Sequence, residues 1–113
     1  MSKSKKLFKN KMEIRYYTDD IKFFIKSLDE DSIAGILKLI SLLRKCGNEI
    51  KMPYSKSLGG GLFELRKLGK KQVRIIYCFD NNVAVLLHVF EKKNNKINRN
   101  DLYLARQRKE SLA

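Results

Sequence analysis

Residues 58–77 read LGGGLFELRKLGKKQVRIIY. Here the helical spacing of apolar residues seen upstream gives way to a strand pattern, and this switch decides the fold. "LFELRK" (62–67), "VRIIYCF" (73–79) and "VAVLLHVFEK" (83–92) are three predicted strands rich in β-branched and aromatic residues. The links "LGKKQ" and "DNN" are short enough for hairpins. The glycines at 59–61 fit neither a Gly-x-x-x-x-Gly-Lys-Ser/Thr phosphate loop nor a Gly-x-Gly-x-x-Gly fingerprint, both of which open a helix. Leading into a strand, they read as a sharply bending backbone.

Upstream, "MEIRYY" (12–17) predicts a first strand, and Thr18, Asp19 and Asp20 are helix-start signals. Ile21, Phe24, Ile25 and Leu28 then recur at helical spacing. After the polar break "SLDEDS", Ile33, Ile36, Leu37, Ile40 and Leu43 mark a second helix that stops at Gly47. Residues 48–57, with the only proline, Pro53, read as a surface connection. Downstream, "NKINRN" (95–100) leads into a final helix with Leu102, Ala105 and Leu112 as its apolar contacts. The predicted order is β-α-α-β-β-β-α. This is an α+β fold in which an antiparallel sheet carries an N-terminal helical hairpin on one face, with a C-terminal helix, and has its other face free. Residues 12–113 form one expected domain, preceded by a mobile basic tail over residues 1–11.

The charge balance narrows the partners. The chain has 113 residues, with 25 Lys and Arg against 12 Asp and Glu, a net charge of +13 that favours a polyanion. No run approaches the roughly 20 apolar residues of a membrane span, and the basic start lacks the apolar segment of an export signal, so no membrane association and a cytoplasmic location are expected. Cys46 and Cys78 have no metal-type spacing.

Strand parity places Glu64 and Arg66 on one face of their strand, Arg74 on the corresponding side of the next, and His88, Phe90 and Lys92 together on the last. Converging Arg66, Arg74 and Lys92 could bind successive phosphates and stabilise charge on one of them. Lys67, Lys70 and Lys71, around the first hairpin link, are further candidates for contacting RNA. His88, the only histidine, is either a satisfied structural group or a proton carrier. No Ser/His/Asp set or metal-type carboxylate cluster is present, so neither metal nor cofactor is expected. RNA cleavage suits such a basic group. The 2′-hydroxyl is the nucleophile, arginines balance charge on the pentacovalent phosphate, and His88, Lys92, Glu91 or a tyrosine could share the proton transfers.

Residues 52–108, through "LFELR", "VRIIY", "VLLHVFEKK" and "DLYLARQR", resemble the RelE/ParE superfamily of bacterial toxins, and most of all its HigB-like, phage-associated branch. The resemblance implies a type II toxin, commonly a ribosome-dependent messenger-RNA endonuclease, silenced by a cognate antitoxin that in HigB-like branches is usually a helix-turn-helix, HigA-like protein. It places the family arginine at Arg74 and the basic residue after the last strand at Lys92, with Lys93 beside it. Arg66 and His88 fit the HigB-like pattern, and the family tyrosine aligns with Tyr103 across a gap. The chain departs from RelE itself in having Leu62 and Glu64 where RelE carries lysines. ParE-like members of the superfamily instead inhibit DNA gyrase. Non-nucleolytic gyrase inhibition and non-catalytic RNA binding are therefore the alternative functions.

Overall fold

A computed structural model of the chain describes residues 11–93 and 98–113. The expected basic tail lies, apart from Lys11, outside the described residues, as do residues 95–97 of the expected polar turn. The elements are β1 (Glu13–Tyr16), α1 (Asp19–Lys26), α2 (Glu30–Cys46), a 3-10 turn (Gly47–Glu49), β2 (Ser55–Gly59), β3 (Leu62–Lys67), β4 (Val73–Asp80), β5 (Val83–Glu91) and α3 (Arg99–Glu110). They form an α+β fold with a five-stranded sheet in the order β1-β5-β4-β3-β2.

Two features correct the sequence reading. The segment read as a surface connection contains a strand: β2 pairs antiparallel with β3, Lys56 opposite Glu64 and Ser55 opposite Leu65. Its composition, SKSLG, has no apolar alternation. Pairing is instead supported by its neighbour and by a buried 2.7 Å hydrogen bond between the Ser55 and Tyr77 hydroxyls. The sheet is also mixed rather than antiparallel, because β1 joins the far edge parallel to β5, with Ile14 opposite Ala84. β1 and β5 are not consecutive: the helical hairpin and strands β2 to β4 lie between them, so no tight turn fixes their relative direction and they can pair in parallel.

The helical hairpin packs on one sheet face. Ile21, Ile25, Ile36, Leu39, Ile40 and Leu43 meet Leu65, Val73, Ile75, Tyr77 and Leu86 in the larger core. α2 starts at Asp29, whose carboxylate accepts from the Ser32 backbone N–H at 3.1 Å and from its hydroxyl at 2.7 Å. It ends at Gly47, whose φ of 59° lies in the left-handed region that glycine adopts freely.

The opposite face, expected to be free, is partly covered. α3 lays Ala105, flanked by Leu102 and Leu112, on Leu62, Ile76, Cys78, Val85 and Leu87. A bulge in β5 prepares this contact. Ile76 pairs with His88 and Tyr77 with Leu86, so Leu87 is the extra residue and its carbonyl leaves the ladder. Arg108 of α3 donates to that carbonyl at 2.6 Å. The bulge also inverts parity along β5: Ala84 and Leu86 face the helical hairpin before it, and Val89 after it.

The glycine run has its explanation here. Gly59, Gly60 and Gly61 have φ of 89°, 61° and 81° in the turn between β2 and β3. A Cβ on Gly60 would lie 2.6 Å from Nη1 of Arg106, the movable end of a long side chain, so it is the left-handed backbone that calls for glycine in this turn. At the next hairpin, Asn81 and Asn82 both have positive φ, as a two-residue primed turn requires.

The Asp29 cap gives a pH-dependent prediction. The hydrogen bonds from Ser32, side chain first, hold the Asp29 carboxyl below its usual value, with Lys71 adding to the effect. A depressed folded-state pKa means stability that is present above the unfolded value of about 3.9 and is lost as pH falls through the folded value. Asp29→Ala is therefore expected to lower Tm at pH 7. The gap from wild type should narrow as thermal melts are taken below about pH 4.

Candidate active site

The charged residues on the α3 face gather at the end of the sheet where β3 finishes, β4 begins and β5 finishes. Register brings Arg66 directly opposite Arg74, and Arg74 opposite Phe90. One step further in, Glu64 lies opposite Ile76, and Ile76 opposite His88. The Lys92 N–H donates to the Gln72 carbonyl at 2.8 Å, extending the β4–β5 ladder past the strand end. These elements surround a cleft of about 510 Å³ lined by Arg66, Lys70, Gln72, Arg74, Glu91, Lys92 and Lys93.

Arg74 is the fixed centre of this cleft, and it is only 1% exposed. Its Nη1 donates to the Lys67 and Val73 carbonyls, each at 3.3 Å, and its Nη2 donates to Gln72 Oε1 at 2.9 Å. Burial lowers its pKa, the Glu64 carboxylate opposes that shift, and Arg66 adds to it. A guanidinium starts so far above neutrality that Arg74 stays charged. Fully enclosed, Arg74 acts on the cleft through its field and by shaping the wall.

Arg66 is the accessible arginine. Its side chain is 20% exposed, and Nη1 makes only a long 3.4 Å contact to Met52 Sδ. Lys70 and Lys93 are exposed at the rim, and Lys92 and Glu91 are half-buried. The cleft thus sets several movable cations around one immobile cation, with the Glu91 carboxylate among them.

The other sequence candidates lie elsewhere. Lys67 points to the helical-hairpin side, where its stem packs 3.2 Å from the Cβ position of Gly35 and its ammonium donates to the Lys71 carbonyl at 2.9 Å. Lys71 pairs with Asp29 at 3.6 Å, and both lysines line an adjoining depression beside the start of α2, which shares Lys70 and Glu91 with the cleft. Tyr103 is 63% exposed on α3, its hydroxyl accepting from Gln107 at 2.9 Å, and it does not line the cleft. Nor does His88. Its Nε2 is 2.6 Å from Asp101 Oδ1, and its ring stacks on Phe90 at 5.7 Å between centroids. The histidine thus fastens the first turn of α3 to β5, next to the cleft.

Gln72 and Asp101 had no signal in the sequence reading. Gln72 belongs to a hairpin link read only for its lysines, and Asp101 acts on a strand whose bulge breaks simple parity.

This arrangement defines a small basic α+β protein with a cationic cleft at one end of its sheet. A family model for phage-derived Gp49-like proteins (DUF891) matches residues 23–110, from α1 to the end of α3, and the chain belongs to this family. No curated protein matches the chain. Among the described residues, no helix is long and apolar enough to cross a membrane.

α3 is fastened at one end by Asp101–His88 and at the other by Arg108 on Leu87. Asp101→Ala should remove about 1–2 kcal/mol of local stability, because the half-buried His88 ring loses its carboxylate hydrogen-bond partner. Native-state amide exchange over Leu102–Ala105 is expected to quicken about tenfold, with the protection of β3 and β4 unchanged.

Proposed function

We propose that this protein is the toxin of a type II toxin–antitoxin pair and that it cleaves messenger RNA on the ribosome. Membership of the Gp49-like family is consistent with a toxin–antitoxin toxin. The observation that carries the enzymatic reading is the gathering of Arg66, Lys70, Arg74, Lys92 and Lys93 around a single cleft. In this reading the fold is RelE-like, residues 12–113 act as one domain, and the protein works in the cytoplasm.

The chemistry needs no resident metal. The 2′-hydroxyl of the substrate attacks the adjacent phosphorus and the 5′-oxygen leaves. Arg66, Lys92 and Lys93 can reach the phosphate oxygens, while Arg74 contributes a fixed positive field as negative charge builds up. Glu91 and Lys92 are the cleft groups able to exchange protons with the attacking and departing oxygens. His88, held by Asp101, supports the neighbouring wall through Phe90. Lys70 sits at the cleft rim, where a neighbouring phosphate would pass, and Lys67, Lys71 and Tyr103 lie outside this core.

The partners are the ribosome, messenger RNA and a cognate antitoxin of helix-turn-helix, HigA-like type. An exposed cationic cleft is suited to suppression by an acidic or amphipathic segment that covers its charge.

Transcript ends mapped after brief induction provide the test. Wild type is expected to arrest growth and to produce new ends within translated regions only. Arg74→Ala and Lys92→Ala should each reduce cutting by about 10²-fold or more, the scale for losing one transition-state charge stabiliser. Growth arrest with intact transcripts and a DNA-damage response would instead establish gyrase inhibition.

A further inference from the structure

We propose that Glu64 is a positioning residue of this cleft: its buried carboxylate sets where Arg66 and Arg74 stand and how much positive charge the cleft offers to RNA. The inference rests on the endonuclease reading and extends it to a residue with the opposite charge to the substrate-binding groups.

Two arginines directly opposite each other on neighbouring strands repel, and one of this pair is almost completely enclosed. Glu64 is 3% exposed. Its Oε1 lies 3.8 Å from Arg66 Nε and 3.7 Å from Arg74 Nε, so one oxygen serves both guanidinium groups. Both Nε atoms are buried and have no hydrogen-bond partner. Arg74 is already tied on its other nitrogens to Lys67, Val73 and Gln72. The remaining direction, through Nε, faces Glu64. Arg66 has no comparable tether, so the carboxylate is what draws its Nε inward while leaving its Nη groups toward the cleft.

Glu64 does not line the cleft and cannot touch a phosphate there. It acts through the arginines. Removing only its charge should therefore separate binding from catalysis: the cleft becomes more positive, while two guanidinium groups lose the anion that holds them in register.

The test uses the full chain with Glu64→Gln. Affinity is read with a single-stranded 2′-O-methyl oligonucleotide, which cannot supply the nucleophile, and cleavage is read on ribosome-bound messenger RNA. Affinity is expected to rise about fivefold for one added charge near a phosphate. The slope of log affinity against log salt should steepen by about 0.7. The cleavage rate at saturation should fall about 10- to 100-fold through misplacement. An unchanged cleavage rate, or affinity falling together with rate, overturns the proposal.

If Glu64→Gln does not fold, the wild-type protein provides the measurement. The Nε–H resonances of the two arginines, assigned with Arg66→Lys, should be protected and should both shift when the oligonucleotide binds. Rapidly exchanging or unmoved signals overturn the proposal. If wild type cuts no RNA, the endonuclease reading fails, while the affinity and salt measurements still judge Glu64. If wild type cuts and Glu64→Gln cuts equally well, the role of Glu64 fails alone.

Discussion

The cleft depends on a carboxylate buried between two guanidinium groups that the sheet register forces to face each other. Antiparallel pairing puts Arg66 opposite Arg74, and Glu64, two residues from Arg66 on the same strand face, can reach both. An unpaired charge as enclosed as Arg74 would lose several kcal/mol of hydration without compensation. The three side chains are therefore one electrostatic unit, closed by backbone carbonyls and by Gln72. This unit holds Arg66 through its Nε and leaves its Nη groups, with the lysines of the β5 end, facing the cleft in front of the enclosed Arg74.

A second constraint shapes the wall beside this unit. The bulge at Leu87 lets adjacent residues of β5 serve the same face, with Leu87 in the smaller core and His88 on Asp101. Its freed carbonyl is satisfied by Arg108, so the irregular strand and the last helix stabilise each other. α3 covers the middle of the face and leaves its end open. The cleft lies where that cover stops.

Much of the fold was legible because its signals are local. The helices over 19–26 and 30–46 follow from apolar spacing, acidic starts and Gly47, and β3, β4 and β5 from dense β-branched and aromatic runs. β2 was not legible, since SKSLG is polar and becomes a strand only when β3 offers its edge. Parallel docking of β1 was hidden for a similar reason: an isolated strand carries no information about the direction of its partner. In the cleft, Arg66, Arg74, Lys92, Lys93 and Lys70 were visible as basic residues of suitable parity or position. Gln72 and the inward role of Glu64 were not.

The sequence by itself determined the types of the helices and of every strand but β2, the strong positive charge and the shared parity of Glu64 and Arg66, because propensity, composition and side-chain alternation are properties of short segments. The tertiary structure decided strand register, the burial of Arg74, the withdrawal of His88 onto Asp101 and the diversion of Lys67 and Lys71 to the helical side. Those outcomes depend on which distant groups compete for each charge, and such competition exists only once separate strands and helices have been brought within a few ångströms.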